Sequence, residues 1–316
     1  MADKKVIAVL GATGAQGGGM VRAIMADKSG EFTARALTRN ANSDKAKALK
    51  ELGAEVVAVD VDNYYSLKNA FTGAYGVFAV TFFWEHFSAE KETAEAKSIA
   101  KAAKEANIKH IVWSTLEDTR NWIPLSDNRM PTLQGKYKVP HFDSKGEAEK
   151  YFTELNLPVT FLMTSAYWEN LIYFGWGPTR GQDGKLALNF PMGDKKLPAI
   201  AVEDIGKSAY AIFKRGNEFI GKKVGIAGEH LTGKQMAESL TKALGEEVGY
   251  NAVPFDVYRS FGFPGADDVG NMFQFKHDFN DYYCSARDLN FAKSLNPELK
   301  SFDEWLRENA KKIPLG

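Results

Sequence analysis

The chain has a single cysteine, Cys284, so no internal disulfide staples it and the fold must hold through packing alone. Long apolar runs are missing too. The opening "MADKKVIAVLGATGA" is too short in its apolar part for a signal peptide or a membrane span, which predicts a cytoplasmic protein with no membrane attachment. Neither sign of charge is in excess: 40 Lys and Arg balance 40 Asp and Glu among 316 residues. Without a broad positive field, direct nucleic-acid binding is not expected. The five histidines, His86, His110, His141, His230 and His277, occur singly with no ligand spacing, so no metal site is predicted. Internal repeats and low-complexity linkers are absent as well. Cys284 itself, in "DYYCSARDL", reads as a partly buried residue rather than a reactive thiol.

What is present is an alternation. "KKVIAVLGATGAQGGGMVRAIMA" begins as a β-branched apolar run, turns through glycines, and continues with helical spacing at Met20, Val21, Ile24 and Met25. "FTARALT", "AEVVAVD", "AYGVFAVT" and "KHIVWST" read as further strands, separated by helices in "DKAKALKELG", "NYYSLKNAFTG" and a Lys- and Ala-rich stretch ending near Asn107. Alternating strands and helices pair in parallel through right-handed crossovers. The predicted fold is therefore α/β, a Rossmann-type doubly wound parallel sheet. Past Leu157 the alternation loosens: "LPVTFLMTS" reads as a sixth strand, and the Gly-, Pro- and aromatic-rich stretch that follows predicts a smaller α/β C-terminal lobe. The expected division is a dinucleotide-binding domain over 1–156 and a substrate or partner lobe over 157–316, with some return to the main sheet.

Ligands of such sheets bind beyond the carboxyl ends of the strands. There "GATGAQG" sets glycines at 11, 14 and 17 after a strand and before a helix: Gly11 for a tight turn, Gly14 for backbone approach to a pyrophosphate, Gly17 for close packing. After the second strand, "ALTRNANSDK" offers Thr38, Arg39 and nearby Lys45 with no acid before Asp44, which favours NADP(H) over NAD because a guanidinium clamps a 2′-phosphate. Asp60 can accept from an adenine amino group with Val61 against the ring. Asp62 and Asn63 read as helix caps. The aromatics of "TFFWE", Phe82, Phe83 and Trp84, suit either a ribose and nicotinamide contact or ordinary core.

"KVPHFDSKGEAEKYF" bears on catalysis. Pro140 suits a first helical turn, and His141 and Lys145 then share one helix face. Many nicotinamide-dependent reductases carry Tyr where His141 stands, with the Lys on the nicotinamide ribose and a Ser after the fifth strand orienting substrate. Ser114 and Lys145 are present and the Tyr is not. A neighbouring ammonium works against His141 as proton donor. Tyr137, before Pro140, is not assumed to replace it.

In order and over nearly the whole chain, "VIAVLGATGAQGG", "VTFFWE", "HFDSKGEAEKYF", "YWEN" and "GFPGADDVGNMFQF" resemble the NmrA-like family of atypical short-chain dehydrogenases, and within it the members that act as NADPH redox sensors. The resemblance implies NADP(H) binding without the usual catalytic Tyr, and a change of protein partner with the NADPH/NADP⁺ balance. It implies cofactor contacts at Gly11, Ala12, Thr13, Gly14, Ala15, Gln16 and Gly17, at Thr38, Arg39, Asn40 and Asn42, and at Asp60 and Val61. It further implies contacts at Thr81, Phe82, Phe83, Lys97 and Lys145, and at Tyr167, Trp168, Glu169 and Asn170 beside the nicotinamide. The chain departs from the sensors at Phe82, where they carry a polar residue, and at Trp168, where "YWEN" replaces "YFEN". Reductases related to isoflavone reductase share the glycine loop and the Lys. The alternative to a regulator with a protein partner is thus an NADPH-dependent reductase of a small carbonyl or enone, with His141, Ser114 or water as proton source and an apolar pocket walled by aromatics of the second lobe. A monomer or homodimer is expected in either case.

Overall fold

The computed structural model describes residues 4–316. The chain forms two compact units, each built from discontinuous segments. The first comprises residues up to Asp118, His141–Thr164 and Ile205–Val224; the second comprises Thr119–Pro140, Ser165–Asp204 and Gly225–Gly316.

The first unit carries strands β1 (Lys5–Val9), β2 (Phe32–Thr38), β3 (Glu55–Ala58), β4 (Gly76–Ala79), β5 (His110–Thr115) and β6 (Val159–Met163), with β11 (Lys223–Gly225) completing a seven-stranded sheet of order β11-β6-β5-β4-β1-β2-β3. β1 to β6 pair in parallel. The chain winds outward from β1 through β2 to β3, then resumes at β4 on the other side of β1. That reversal between β1 and β4 is the crevice where doubly wound sheets take ligands. Helices α1 (Ala15–Ala26), α2 (Asp44–Glu51), α3 (Tyr64–Phe71), α4 (Phe83–His86), α5 (Ala89–Glu105), α6 (Pro140–Glu154) and α8 (Val202–Lys214) provide the connections.

Alternating strand residues divide the core between the two faces. Trp113, Phe161 and Val77 pack with Leu67, Ile99 and Phe152 of α3, α5 and α6, while α8 covers the other face with Phe213 against His110 and Tyr210 against Phe32. Gly19 of α1 serves this second face. A Cβ on Gly206 of α8 would lie 2.1 Å from the Gly19 carbonyl carbon, so the two helix backbones touch where no side chain fits. Ser43 and Asn63 cap α2 and α3 through their side-chain oxygens, so the cap read from Asn63 is real while Asp62 pairs elsewhere.

The second unit holds two three-stranded sheets. Strands β7 (Ala166–Tyr167), β10 (Lys196–Ile200) and β12 (Glu229–Thr232) form one, in the order β12-β10-β7. β8 (Thr179–Arg180), β9 (Leu186–Phe190) and β13 (Val248–Ala252) form the other, in the order β13-β9-β8. Its helices are α7 (Asn170–Tyr173), α9 (Gly233–Leu244), α10 (Phe255–Arg259), α11 (Ala266–Asp278), α12 (Asn280–Ser285), α13 (Leu289–Leu295) and α14 (Phe302–Asn309). The "GFPGADDVGNMFQFK" segment, whose role the sequence does not disclose, is mostly α11, a buried helix that fastens the 129–138 loop. Asn271 Nδ2 donates to the Pro131 and Lys138 carbonyls at 3.0 and 2.5 Å, and Gln274 Nε2 to the Arg129 carbonyl at 3.0 Å. Among the described residues no helix is long and apolar enough to cross a membrane.

Candidate cofactor site

The glycine loop after β1 folds back on itself. Gly11 sits at φ +62°, a left-handed conformation that glycine adopts without penalty, and the Gly14 amide donates to its carbonyl at 2.8 Å. A Cβ on Gly17 would stand 2.4 Å from the Gly11 oxygen, so Gly17 is required by the turn itself. Gly14 is the N-cap of α1, followed by Ala15 and Gln16, and the first turn of that helix carries no acid. Its amides and dipole therefore favour an anion. The Ala12 amide donates to the Leu37 carbonyl at 3.1 Å, and Thr13 Oγ1 lies 3.3 Å from Thr38 Oγ1, which ties this loop to the next one.

That next loop is built on short polar turns. Asn40 Oδ1 accepts from the Asn42 amide at 3.0 Å, and the Asn40 carbonyl accepts from Ser43 Oγ at 3.0 Å. Arg39 points outward and donates through Nη1 to Glu85 of α4. After β3, Asp60 Oδ1 accepts from the Asp62 amide at 3.0 Å, Val61 packs on the core, and Asp62 pairs with Lys91 at 3.1 Å. The Gly11 turn, Arg39 and Asp60 thus fall in the loops after β1, β2 and β3 of one unit.

Lys145 is buried and its ammonium is fully engaged. It donates to the Thr81 carbonyl at 3.1 Å and to Thr81 Oγ1 at 2.8 Å, and pairs with Glu92 Oε1 at 2.6 Å. An ammonium has three N–H donors, and three acceptors are in place. Thr81 Oγ1 closes the triangle by donating to Glu92 Oε1 at 2.5 Å. Burial pushes the Glu92 carboxyl up, and Lys145, His86 and Thr81 more than reverse this, holding it down at about 2. His141 is packed into an aromatic cluster, its ring 4.7 Å from Trp84, 4.8 Å from Phe142 and 5.9 Å from Phe83. Phe83 is buried there and Phe82 is exposed.

Sequence reasoning missed Glu92, and with it a cluster at the start of α5. His86 Nε2 lies 3.5 Å from Glu92 Oε2 and 3.8 Å from Glu95 Oε1, a set of the kind that holds divalent cations. The tautomer argues against that use. His86 Nδ1 accepts from the Ser88 amide at 3.0 Å, so the ring proton is on Nε2 and faces the two carboxylates as a donor. Burial and the charge of Glu92 push the Glu95 carboxyl up to about 7. The signal available in the sequence was the set of acids in the first turns of α5, which reads as ordinary helix-dipole chemistry.

The other predicted positions make contacts of their own within each unit. Trp113 and Thr115 of β5 face α6, where Thr115 Oγ1 reaches the Lys145 carbonyl at 3.2 Å. Ser114 between them, buried, faces the opposite side of the sheet. Lys97 is exposed on α5, with its ammonium 5.9 Å from the Tyr151 ring centroid. Within the second unit, Tyr167 ends β7 and Trp168 is buried against Phe302 and Trp305. Glu169 accepts from Trp305 Nε1 at 2.9 Å and the Val202 amide at 3.0 Å, and Asn170 opens α7. Tyr137 is buried beneath the Arg120 guanidinium and the Lys136 ammonium. Cys284 is half-buried and its thiol is pushed up by that burial, the opposite of activation.

A doubly wound parallel sheet with a glycine loop at its switch point defines the class, a Rossmann-type α/β protein. Residues 3–306 match the NmrA-like family, and the chain belongs to it. It is 28% identical over 315 residues to an NmrA-like family domain-containing protein of Dictyostelium discoideum, covering 97% of this chain and 98% of the other. It is 28% identical over 265 residues to the NmrA-like family domain-containing oxidoreductase malD of Malbranchea aurantiaca, covering 78% and 75%. Among solved structures, NmrA, a negative transcriptional regulator, in complex with NADP superposes with a TM-score of 0.80 at 24% identity, covering 98% of this chain and 96% of that one. The Citrobacter sp. triphenylmethane reductase complexed with NADP(H) gives 0.73 at 19% identity, covering 97% and 99%. At these identities the structures speak for the fold.

Proposed function

We propose that this protein binds NADP(H) through the loops after β1, β2 and β3 and acts as a cytoplasmic regulator whose association with a protein partner follows the bound cofactor, without the usual short-chain dehydrogenase catalysis. The observation that carries this reading is the closed triangle at Lys145. In a Tyr-dependent reductase the lysine holds the nicotinamide ribose and lowers the pKa of the phenol. Here the phenol is replaced by His141 in an aromatic cluster, and the ammonium spends its three donors on Thr81 and Glu92. Cofactor binding is supported separately by the Gly11 turn, the acid-free first turn of α1 and Arg39, and by the NADP bound to the neighbouring NmrA.

The oxidoreductase names of several relatives favour a second reading, an NADPH-dependent reductase of a small carbonyl or enone. In it the nicotinamide supplies hydride, and His141 or water the proton. Calorimetry with NADPH, NADP⁺ and NADH, with NADPH absorbance followed against a panel of carbonyls and enones, separates the two. We expect NADPH to bind more tightly than NADH, Arg39→Gln to weaken NADPH by about tenfold, and no substrate-dependent oxidation. Substrate-dependent oxidation replaces the regulator with the reductase. Partner binding that is the same with and without cofactor removes the sensing role, because equal affinity shifts nothing.

A further inference from the structure

Between Thr38 and Asp44 the loop after β2 has no acid, yet a carboxylate stands at Arg39. It comes from the end of another strand: Glu85, on α4 beyond β4, accepts from Arg39 Nη1 through Oε1. Asp44, the first acid after Arg39, pairs with Lys47 at 3.4 Å, and Asp62, on the loop after β3, pairs with Lys91 at 3.1 Å. The backbone of α4 is held independently of this pair, by buried Phe83 and by the amides of Glu85 and Phe87, which donate to the Phe82 and Phe83 carbonyls at 3.1 and 2.8 Å. The Glu85 side chain can therefore leave Arg39 while α4 stays in place. The two side chains are 67% and 45% exposed, so an incoming ligand reaches both.

We propose that Glu85 is a specificity-determining residue that narrows the choice between NADP(H) and NAD(H); this rests on the reading of Arg39 as the 2′-phosphate site. A 2′-phosphate and the Glu85 carboxylate are rival anions for one guanidinium. The phosphate has more acceptor oxygens and more charge, and it takes Arg39, but only after breaking the existing pair. A cofactor lacking the phosphate presents a neutral 2′-hydroxyl, which donates to the carboxylate that Arg39 holds in position. Dinucleotide sites selective for NAD place an acid at the end of the second strand for that contact. In this chain the acid arrives from beyond β4 and is displaceable. Glu85 thus weakens NADP(H) binding and strengthens NAD(H) binding.

The test is calorimetry of NADPH and NADH on the full chain carrying Glu85→Ala, with Glu85→Gln as a charge-only change and Arg39→Gln alongside. Glu85→Ala is expected to tighten NADPH by about two- to fivefold, the range of one exposed ion pair, and to weaken NADH by about twofold or more. Glu85→Gln is expected to tighten NADPH in the same range. Opposite signs for the two cofactors are the signature of the proposal. A mere loss of one negative charge near an anionic ligand tightens both, and that outcome overturns it. Unchanged affinities in Glu85→Ala, with Arg39→Gln still losing NADPH, overturn the role of Glu85 and leave the phosphate site standing. An Arg39→Gln variant that binds NADPH as the wild type does removes the phosphate site itself.

Discussion

A lysine ammonium withdrawn from water needs acceptors for its protons and a negative charge nearby, and Lys145 has both in Thr81 and Glu92. The Glu92 side chain is fully buried, and the pair is far more costly to break than a surface ion pair. Glu92→Gln is expected to destabilise the protein by roughly 3–5 kcal/mol in urea unfolding, because the ammonium stays buried without its counter-charge. Adding Lys145→Met should recover most of that loss. A cost under about 1 kcal/mol for Glu92→Gln would show that water reaches the ammonium. The sequence displays Lys145 and its neighbour His141 on one helix face, and from that pair alone the ammonium reads as an uncompensated charge beside the imidazole. The compensation comes from Glu92 on α5, far away in sequence, where no local pattern announces it. Arg39 and Glu85 repeat the lesson. The cation is legible from its place after a strand, and its partner is not, because strand order and not sequence distance brings the loops after β2 and β4 together.

At the scale of elements, the pattern of apolar runs and glycine stops identifies β1 to β6 and the longer helices between them, since each is a local signal of period or cap. The helical turn α4 was not visible. "FFWEH" has no cap and no period, and the turn closes at Phe87 in a left-handed conformation of φ 54° that an aromatic residue rarely adopts. The sheets of the second unit were hidden for a related reason. β7 and β8 are two residues long; β7 pairs with β10 far along the chain, and β8 pairs with the neighbouring β9, whose other partner, β13, is again distant. The three glycines after the loop, Gly17, Gly18 and Gly19, were legible only in part. Gly17 answers to the turn, while Gly19 answers to Gly206 on α8, a contact that no reading of α1 supplies. Gly206→Ala would press a methyl group to within 2.1–2.6 Å of the Gly19 and Met20 backbone, which can yield only if α8 moves. A loss of roughly 1–3 kcal/mol or more is expected in urea unfolding. Gly262→Ala, with nothing within 4 Å of the added carbon, is the matched control and should stay within about 0.5 kcal/mol.

For the molecule as a whole, neutral net charge leaves the response to pH to a few buried groups rather than to general repulsion. Burial lowers His110 from 6.5 to about 4, so the unfolded chain takes the proton first and stability falls as the pH drops from 6.5 towards 4. His230, also lowered by burial, acts in the same sense. Glu95 works the other way. Burial and then Glu92 raise it from 4.5 to about 7, against the opposing pull of His86 and Lys91, so the native state takes the proton first and stability rises as the pH drops from 7 to 4.5. Burial raises Glu149 and Glu169 in the same direction. The two sets oppose each other, and the wild-type stability should vary little between pH 7 and 4.5. Below 4.5 Glu92, held at about 2, begins to lose its contribution, and stability should fall steeply towards pH 2. Single substitutions unmask each limb. His110→Gln, which can still bond Thr160, should become more stable on acidification from pH 7 to 4.5, and Glu95→Gln less stable, each by roughly 1–3 kcal/mol relative to the wild-type trend in urea unfolding. Parallel curves for the two variants and the wild type across that interval would mean that neither group is shielded from water in the native state.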